Sequence, residues 1–257
     1  MTNLPTAAFV RILRCAACAG FVLLSMAASA MAQLVLDSDT ILDGAIDDGQ
    51  VHIVRGANPT PPTVVTVLEP ADIDTDILVF DDSVLNVLGG RVASFQAHGT
   101  SNVNFSGGVL TTDATAFGQS QVNVVGGELI DFVRVRDQSS LAVSGGSIWG
   151  VQTFDDASVQ ILGGQFTDAL PAVQNSLDAR GNSTILIFGS GFNYPAGPIP
   201  DATGTLTGTL ASGETFSARF SIADSASIQV VPEPATAVLA AAGIAGLWCA
   251  RRRTRVR

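Results

Sequence analysis

Between residues 82 and 166 apolar and polar positions alternate in short bursts, and each burst ends on two glycines. The segments "DSVLNVLGG" (82–90), "TSNVNFSGG" (100–108), "QSQVNVVGG" (119–127), "QSSLAVSGG" (138–146) and "ASVQILGG" (157–164) align on that pair. Its first members, Gly89, Gly107, Gly126, Gly145 and Gly163, follow one another at spacings of 18, 19, 19 and 18 residues. Before each pair stand two apolar residues: Leu85/Val87, Val103/Phe105, Val122/Val124, Leu141/Val143 and Val159/Ile161. Between them lie Asn86, Asn104, Asn123, Ala142 and Gln160, so the period is two and each burst predicts a short strand. The glycines turn the chain, since glycine accepts positive φ at no steric cost. After the turn an apolar position recurs at Val92, Leu110, Leu129, Ile148 and Phe166, with a less regular one near Phe95, Phe132 and Val151.

A unit of this length cannot bury its own apolar face, whereas stacked copies can. The expected fold is all-β, a parallel β-helix (solenoid) of 18–20-residue coils rising about 4.8 Å each. A propeller blade needs roughly 40 residues and is too long for this repeat. In the solenoid the Asn/Gln positions form a column whose amides bond coil to coil. The frame extends upstream over 63–82 and downstream, imperfectly, over 182–192; 40–56 reads as a capping coil, and 204–220 with 226–231 read as antiparallel strands closing the stack. The domain order expected is therefore 1–32 signal peptide, 33–62 N-terminal cap region, 63–192 repeats, 193–231 C-terminal strands and linker, and 232–257 a tail.

Charge changes the picture at both ends. The chain has no lysine; two of its 13 basic residues, Arg11 and Arg14, precede an N-terminal apolar stretch, and five lie in the last seven positions. Everything from Gln33 to Glu233 keeps six basic against all 23 acidic residues, a net −17. Such a body repels nucleic acid and anionic lipid. The N-terminus has the layout of a secretory signal helix with the cleavage site Ala30-Met31-Ala32 and Gln33 as the new N-terminus; a cut after Ala30 and a permanent anchor are the alternatives. Cys15 and Cys18 fall in that segment and Cys249 in the tail, so the mature body has no cysteine and no disulfide.

The search for chemistry gives little. A glycosidase needs two carboxyls about 5–9.5 Å apart; the best constellation is Asp131 and Asp168, with Trp149 between them in coil order and Asp113, Arg134 and Arg136 nearby. These acids read first as an acidic surface. Asp72, Asp74 and Asp76 alternate along one strand face and are the candidates that come nearest to a metal site; no cofactor is expected, and calcium is the ion such oxygens suit. Asp81, Asp82, Asp137, Asp155 and Asp156 precede the recurring serines and fit turn roles, as do Ser101, Ser120 and Ser139 themselves. His52 and His98 stand far apart in coil order with no nucleophile beside either. No catalytic residue is assigned.

The tail "VVPEPATAVLAAAGIAGLWCARRRTRVR" sets Pro232, Glu233 and Pro234 before an uncharged run, 235–250, and then Arg251, Arg252 and Arg253. As a helix the run spans about 24 Å, and the arginines match the positive-inside rule; a transmembrane helix is expected at 235–250. Motif, apolar span and arginine cluster in this order resemble the PEP-CTERM sorting tail. That resemblance implies an exosortase, a membrane cysteine transpeptidase of Gram-negative bacteria that make exopolysaccharide, as partner. It implies export to the envelope, the cell surface or the medium through a transient inner-membrane anchor. The expected function is a non-enzymatic surface or matrix protein, structural or adhesive, with exopolysaccharide or other surface proteins as partners. The alternative is a polysaccharide lyase or glycoside hydrolase on the same scaffold.

Overall fold

A computed structural model describes residues 33–47, 49–55, 62–166 and 176–232. Among them 21 strands and no helix are joined in one hydrogen-bonded sheet, so the class is all-β. The signal helix over 1–32 and the membrane helix over 235–250 lie outside the described residues, as do Asp168 and the tail from Glu233 on.

The repeat is carried by three parallel ladders. In ladder one the strand before each glycine pair stacks on its counterpart: Val67, Val87, Phe105, Val124, Val143, Ile161, Ile187 and Val230 are successive partners. Ladder two follows the glycines through Ile46, Ile73, Val92, Leu110, Leu129, Ile148 and Phe166. Ladder three runs through Val51, Ile77, Phe95, Ala114, Val133, Val151, Leu177 and Phe220. The inward side chains of all three ladders meet in one hydrophobic core. Because period-two alternation puts every second residue inside, a register slip of one would turn the core residues outward.

Both glycines of the pair are required. The second adopts φ between +78° and +98° at Gly90, Gly108, Gly127, Gly146 and Gly164. The first lets stacked backbones touch: a Cβ on Gly107 would stand 2.3 Å from the Leu88 carbonyl oxygen, and one on Gly126 2.6 Å from that of Ser106. The turn from ladder three to ladder one has its own left-handed position, filled in successive repeats by Asp81, Gly99, Gly118, Asp137, Asp155, Gly181 and Asp224, at φ between 56° and 71°. Aspartate tolerates that region better than most residues, and here its carboxylate also bonds across repeats. Asp137 Oδ2 accepts the Gly118 amide at 2.8 Å, and Asp155 Oδ2 that of Asp137 at 3.2 Å.

Two columns complete the stack. Asn104 Nδ2 donates to Asn86 Oδ1 at 2.9 Å and Asn123 Nδ2 to Asn104 Oδ1 at 3.0 Å, the amide ladder that the spacing predicts; Ala142 interrupts it. Ser101, Ser120 and Ser139 close the turns but face inward with no exposure, together with Ser83 and Ser183. Ser120 and Ser139 donate their hydroxyls to the carbonyls of Ala97 and Ala116.

Among the five double-glycine repeats, length varies at one corner only. Ladders two and three are separated by three positions from Val92 to Phe95 and from Ile148 to Val151, but by four from Leu110 to Ala114 and from Leu129 to Val133. That extra residue is the difference between spacings of 18 and 19. At the C-terminal end, Thr203–Leu210 and Thr215–Ile222 form the expected antiparallel hairpin. The segment 226–231, expected to be antiparallel too, instead rejoins ladder one: Ser227–Pro232 pairs in parallel with Thr184–Ser190, because Ile228 and Val230 continue the inward columns of Ile185 and Ile187.

Candidate functional site

Asp113 and Asp131 both lie between ladders two and three, where the register shifts. Asp113 forms an ion pair with Arg134 Nη1, whose Nε also donates to Gln152 Oε1 at 3.3 Å. Asp131 Oδ1 accepts the amide of its own neighbour Phe132 at 2.6 Å. The Phe132 ring lies against Trp149, centroids 5.7 Å apart and planes 26° from parallel. Arg136 sits one turn away, its guanidinium 4.2 Å over the Phe154 ring. The structure therefore spreads Asp113, Asp131, Arg134 and Arg136 among separate contacts and does not bring two free carboxyls together. Asp168, the other half of the expected pair, lies outside the described residues.

Asp72, Asp74 and Asp76 do share the outward side of one strand, Asp72–Val79. Two of them are already occupied: Arg91 Nε meets Asp72 Oδ1 at 2.6 Å and Arg91 Nη2 meets Asp74 Oδ1 at 3.1 Å. The hydrogen bonds that Arg91 donates to Asp72 and then to Asp74 push its pKa above the ordinary value. Asp76 accepts the Ser94 hydroxyl. Among the described residues no three His, Cys, Asp or Glu side chains are gathered so as to hold a metal ion. Sequence reasoning missed Arg91, although its signal was present: it follows Gly90 on an outward position, one repeat after Asp72, with which it pairs in register.

The histidines belong to a stack along the turn between ladders three and one. His52 and Phe80 have ring centroids 5.5 Å apart, Phe80 and His98 5.1 Å, and His98 and Phe117 4.8 Å. Burial lowers the pKa of both histidines, so both favour the neutral imidazole. Arg136, Phe154 and Arg180 continue the same turn position, and Arg180 is bound to Asp178 at 2.7 Å.

One face differs from the rest. The outward residues of ladder one carry no charge through five repeats: Val84, Asn102, Gln121, Ser140 and Ser158 in one column, and the Asn86–Gln160 column beside it. Leu88 and Val125, 52% and 55% exposed, lie on its glycine side. In a body of net −17 this is a flat, neutral, amide-rich surface.

At the two boundaries, the first strand among the described residues is Gln33–Leu36, and the expected signal-cleavage residues Ala30 and Ala32 lie outside them. Pro232 ends the last strand; Glu233, Pro234 and Arg251–Arg253 lie outside them.

A family model for the PEP-CTERM protein-sorting motif matches residues 230–253. No curated protein and no solved structure matches the chain. The chain thus carries a sorting signal, which directs it to export and to processing by an exosortase.

Proposed function

We propose that this protein is a passive component of the cell surface or extracellular matrix, a β-helical body delivered by an exosortase in a Gram-negative host. The observation that carries the reading is the sorting motif at 230–253, attached directly to a stack of short repeats. Offsets of 18 to 20 residues between parallel partners through the middle of all three ladders, from Val67, Ile73 and Ile77 to Ile161, Phe166 and Val151, support the β-helix, and a rigid rod of this kind suits a spacer or an adhesive module. The uncharged face of ladder one is the surface on which a hydroxyl-rich polymer can lie without repulsion from the acidic remainder. The engagement of Asp113, Asp131 and Arg134 in internal contacts supports a non-enzymatic body, with the membrane helix at 235–250 serving as anchor until processing.

Purified mature protein incubated with the host's own exopolysaccharide provides the test. The expected result is co-sedimentation with the polymer and no release of reducing ends or unsaturated products. Product release that is lost in Asp131→Asn would replace this reading by a polysaccharide-degrading enzyme.

A further inference from the structure

Eight strands of ladder one stack from Val64–Val67 to Ser227–Pro232. None of their outward positions holds a charged residue, so every one of the body's 23 acidic residues lies off this strip. Seven steps of about 4.8 Å make the strip about 34 Å long. Carboxylates border it on both sides. The turn that leads into ladder one carries Asp81, Asp82, Asp137, Asp155, Asp156 and Asp224, and Glu69 and Glu128 stand on the glycine side. Of the arginines near that turn, Arg55 pairs with Asp82 at 3.6 Å and Arg180 with Asp178 at 2.7 Å, so acid outnumbers base along the border.

The polar groups of the strip have bonding capacity to spare. A side-chain amide has two N–H donors and a carbonyl oxygen that accepts twice. In the ladder Asn104 gives one N–H to Asn86 and accepts one from Asn123, which leaves it one donor and one acceptor site. Gln121 and Gln160, both exposed, make no side-chain hydrogen bond among the described residues. Leu88 and Val125 add exposed apolar surface on the glycine side.

We propose that the strip binds a neutral polysaccharide laid along the stack axis, and that the bordering carboxylates reject chains built of uronate. The inference rests on the matrix reading above and narrows its partner to one chemical class. A sugar hydroxyl both donates and accepts, so it matches the amide groups that the ladder leaves over. Along the axis the chain meets a new rung every 4.8 Å or so, close to the length of one pyranose residue. The apolar C–H faces of the rings rest on Leu88 and Val125. Asn86, Asn104 and Asn123 are already ordered by one another, so binding costs them little side-chain entropy. A uronate chain brings one carboxylate per residue within a Debye length, about 8–10 Å, of those on the border. Like charges so placed weaken the wrong partner without a contact to the right one.

Titration calorimetry of the purified mature protein tests this with three hexasaccharides: neutral cellohexaose and mannohexaose, and the uronate hexamannuronate. The expected result is binding of a neutral hexamer and about tenfold weaker or no binding of the uronate at low ionic strength, the gap narrowing as salt is raised. Gln121→Ala with Gln160→Ala should weaken neutral binding about fivefold per amide and leave the melting temperature unchanged. Asp82→Asn with Asp156→Asn should raise affinity for hexamannuronate. Equal or tighter binding of the uronate, or an unchanged affinity in the glutamine variant, overturns the proposal. So does a dimer held through the strip with no sugar bound, which gives the face to a second copy. If neither neutral hexamer binds while the protein still co-sediments with the host polymer, the proposal falls and the matrix reading stands. Binding of a neutral hexamer without that co-sedimentation keeps the strip's role and removes the matrix reading.

Discussion

The amide ladder on ladder one has a direction, and that direction makes two nearly identical substitutions unequal. Asn104 donates to Asn86 and accepts from Asn123, so Asn86 acts as acceptor and Asn123 as donor. Asn86→Asp keeps its oxygen in place, and the bond from Asn104 becomes charge-assisted, roughly twice as strong as a neutral one. Asn123→Asp removes the donor and sets a carboxylate against the Asn104 carbonyl oxygen. It forfeits a bond of about 1 kcal/mol and adds repulsion in a half-buried position. Both variants add one negative charge to the same face of the same acidic body, so that general cost cancels in the comparison. The expected difference is about 2 kcal/mol in favour of Asn86→Asp. For a body of about 200 residues this amounts to roughly 4–8 °C in melting temperature. Thermal denaturation of the two variants side by side, at one ionic strength, reads it directly. Equal melting temperatures, or a higher one for Asn123→Asp, would refute the ladder as built.

Three further outcomes are expected. Val124→Asp, at a position with no exposure, buries an unpaired charge and should cost several kcal/mol, leaving little folded protein; an unchanged melting temperature would turn the strand's inward face around. Burial lowers the His98 and His52 pKa values, so the stability tied to their neutral forms is complete above the unfolded value of about 6.5 and is lost as pH falls through the lower folded values. His98→Phe keeps a ring between Phe80 and Phe117 and should flatten the fall in melting temperature between about pH 7 and pH 5; an identical fall in both proteins would place the pH dependence elsewhere. Because Arg91 occupies Asp72 and Asp74, a chelator should leave the melting temperature unchanged, and a drop restored by calcium alone would assign that ion to the acidic strand.

The repeat was legible in the sequence because its constraints are local and recur. A glycine pair that must touch the backbone of the preceding repeat, with apolar residues two and four places before it, leaves the same trace in every copy. The corner between ladders two and three has no such constraint. Its length is four positions from Leu129 to Val133 but eleven from Phe166 to Leu177, so Asp131 and Asp168, matched by counting, share no demonstrated column, and the register shifts between Leu129 and Phe132. The parallel return of Ser227–Pro232 was hidden for a different reason. Its partner, Thr184–Ser190, precedes it by 43 residues at Thr184 and Ser227, with a hairpin between them, so no regular spacing links the two. The place of Val230 was readable only from its alternation with Ile228. Arg91 and the left-handed aspartates needed the outward and turn columns to be read across repeats, where like positions hold unlike residues.

The acidic composition also bears on how the stack ends. A parallel stack has two terminal rungs whose outer backbone groups would template further pairing. At the C-terminal end the collar formed by 190–200 and the strand Thr203–Leu210 take up the edges of the last rung, with antiparallel contacts at Gly197–Val230 and along Thr215–Ile222. At the N-terminal end the strands Gln33–Leu36, Thr40–Leu42 and Ala45–Ile46 have ladder partners only on the side of the next repeat among the described residues. Their turns carry Asp37, Asp39, Asp43 and Asp47. A second copy approaching this rung brings the same four carboxylates against these, and the net −17 of each body adds to the repulsion. Among the described residues, covering strands thus take up the C-terminal rung, while the turns of the N-terminal rung carry acidic residues that disfavour close approach of a second copy.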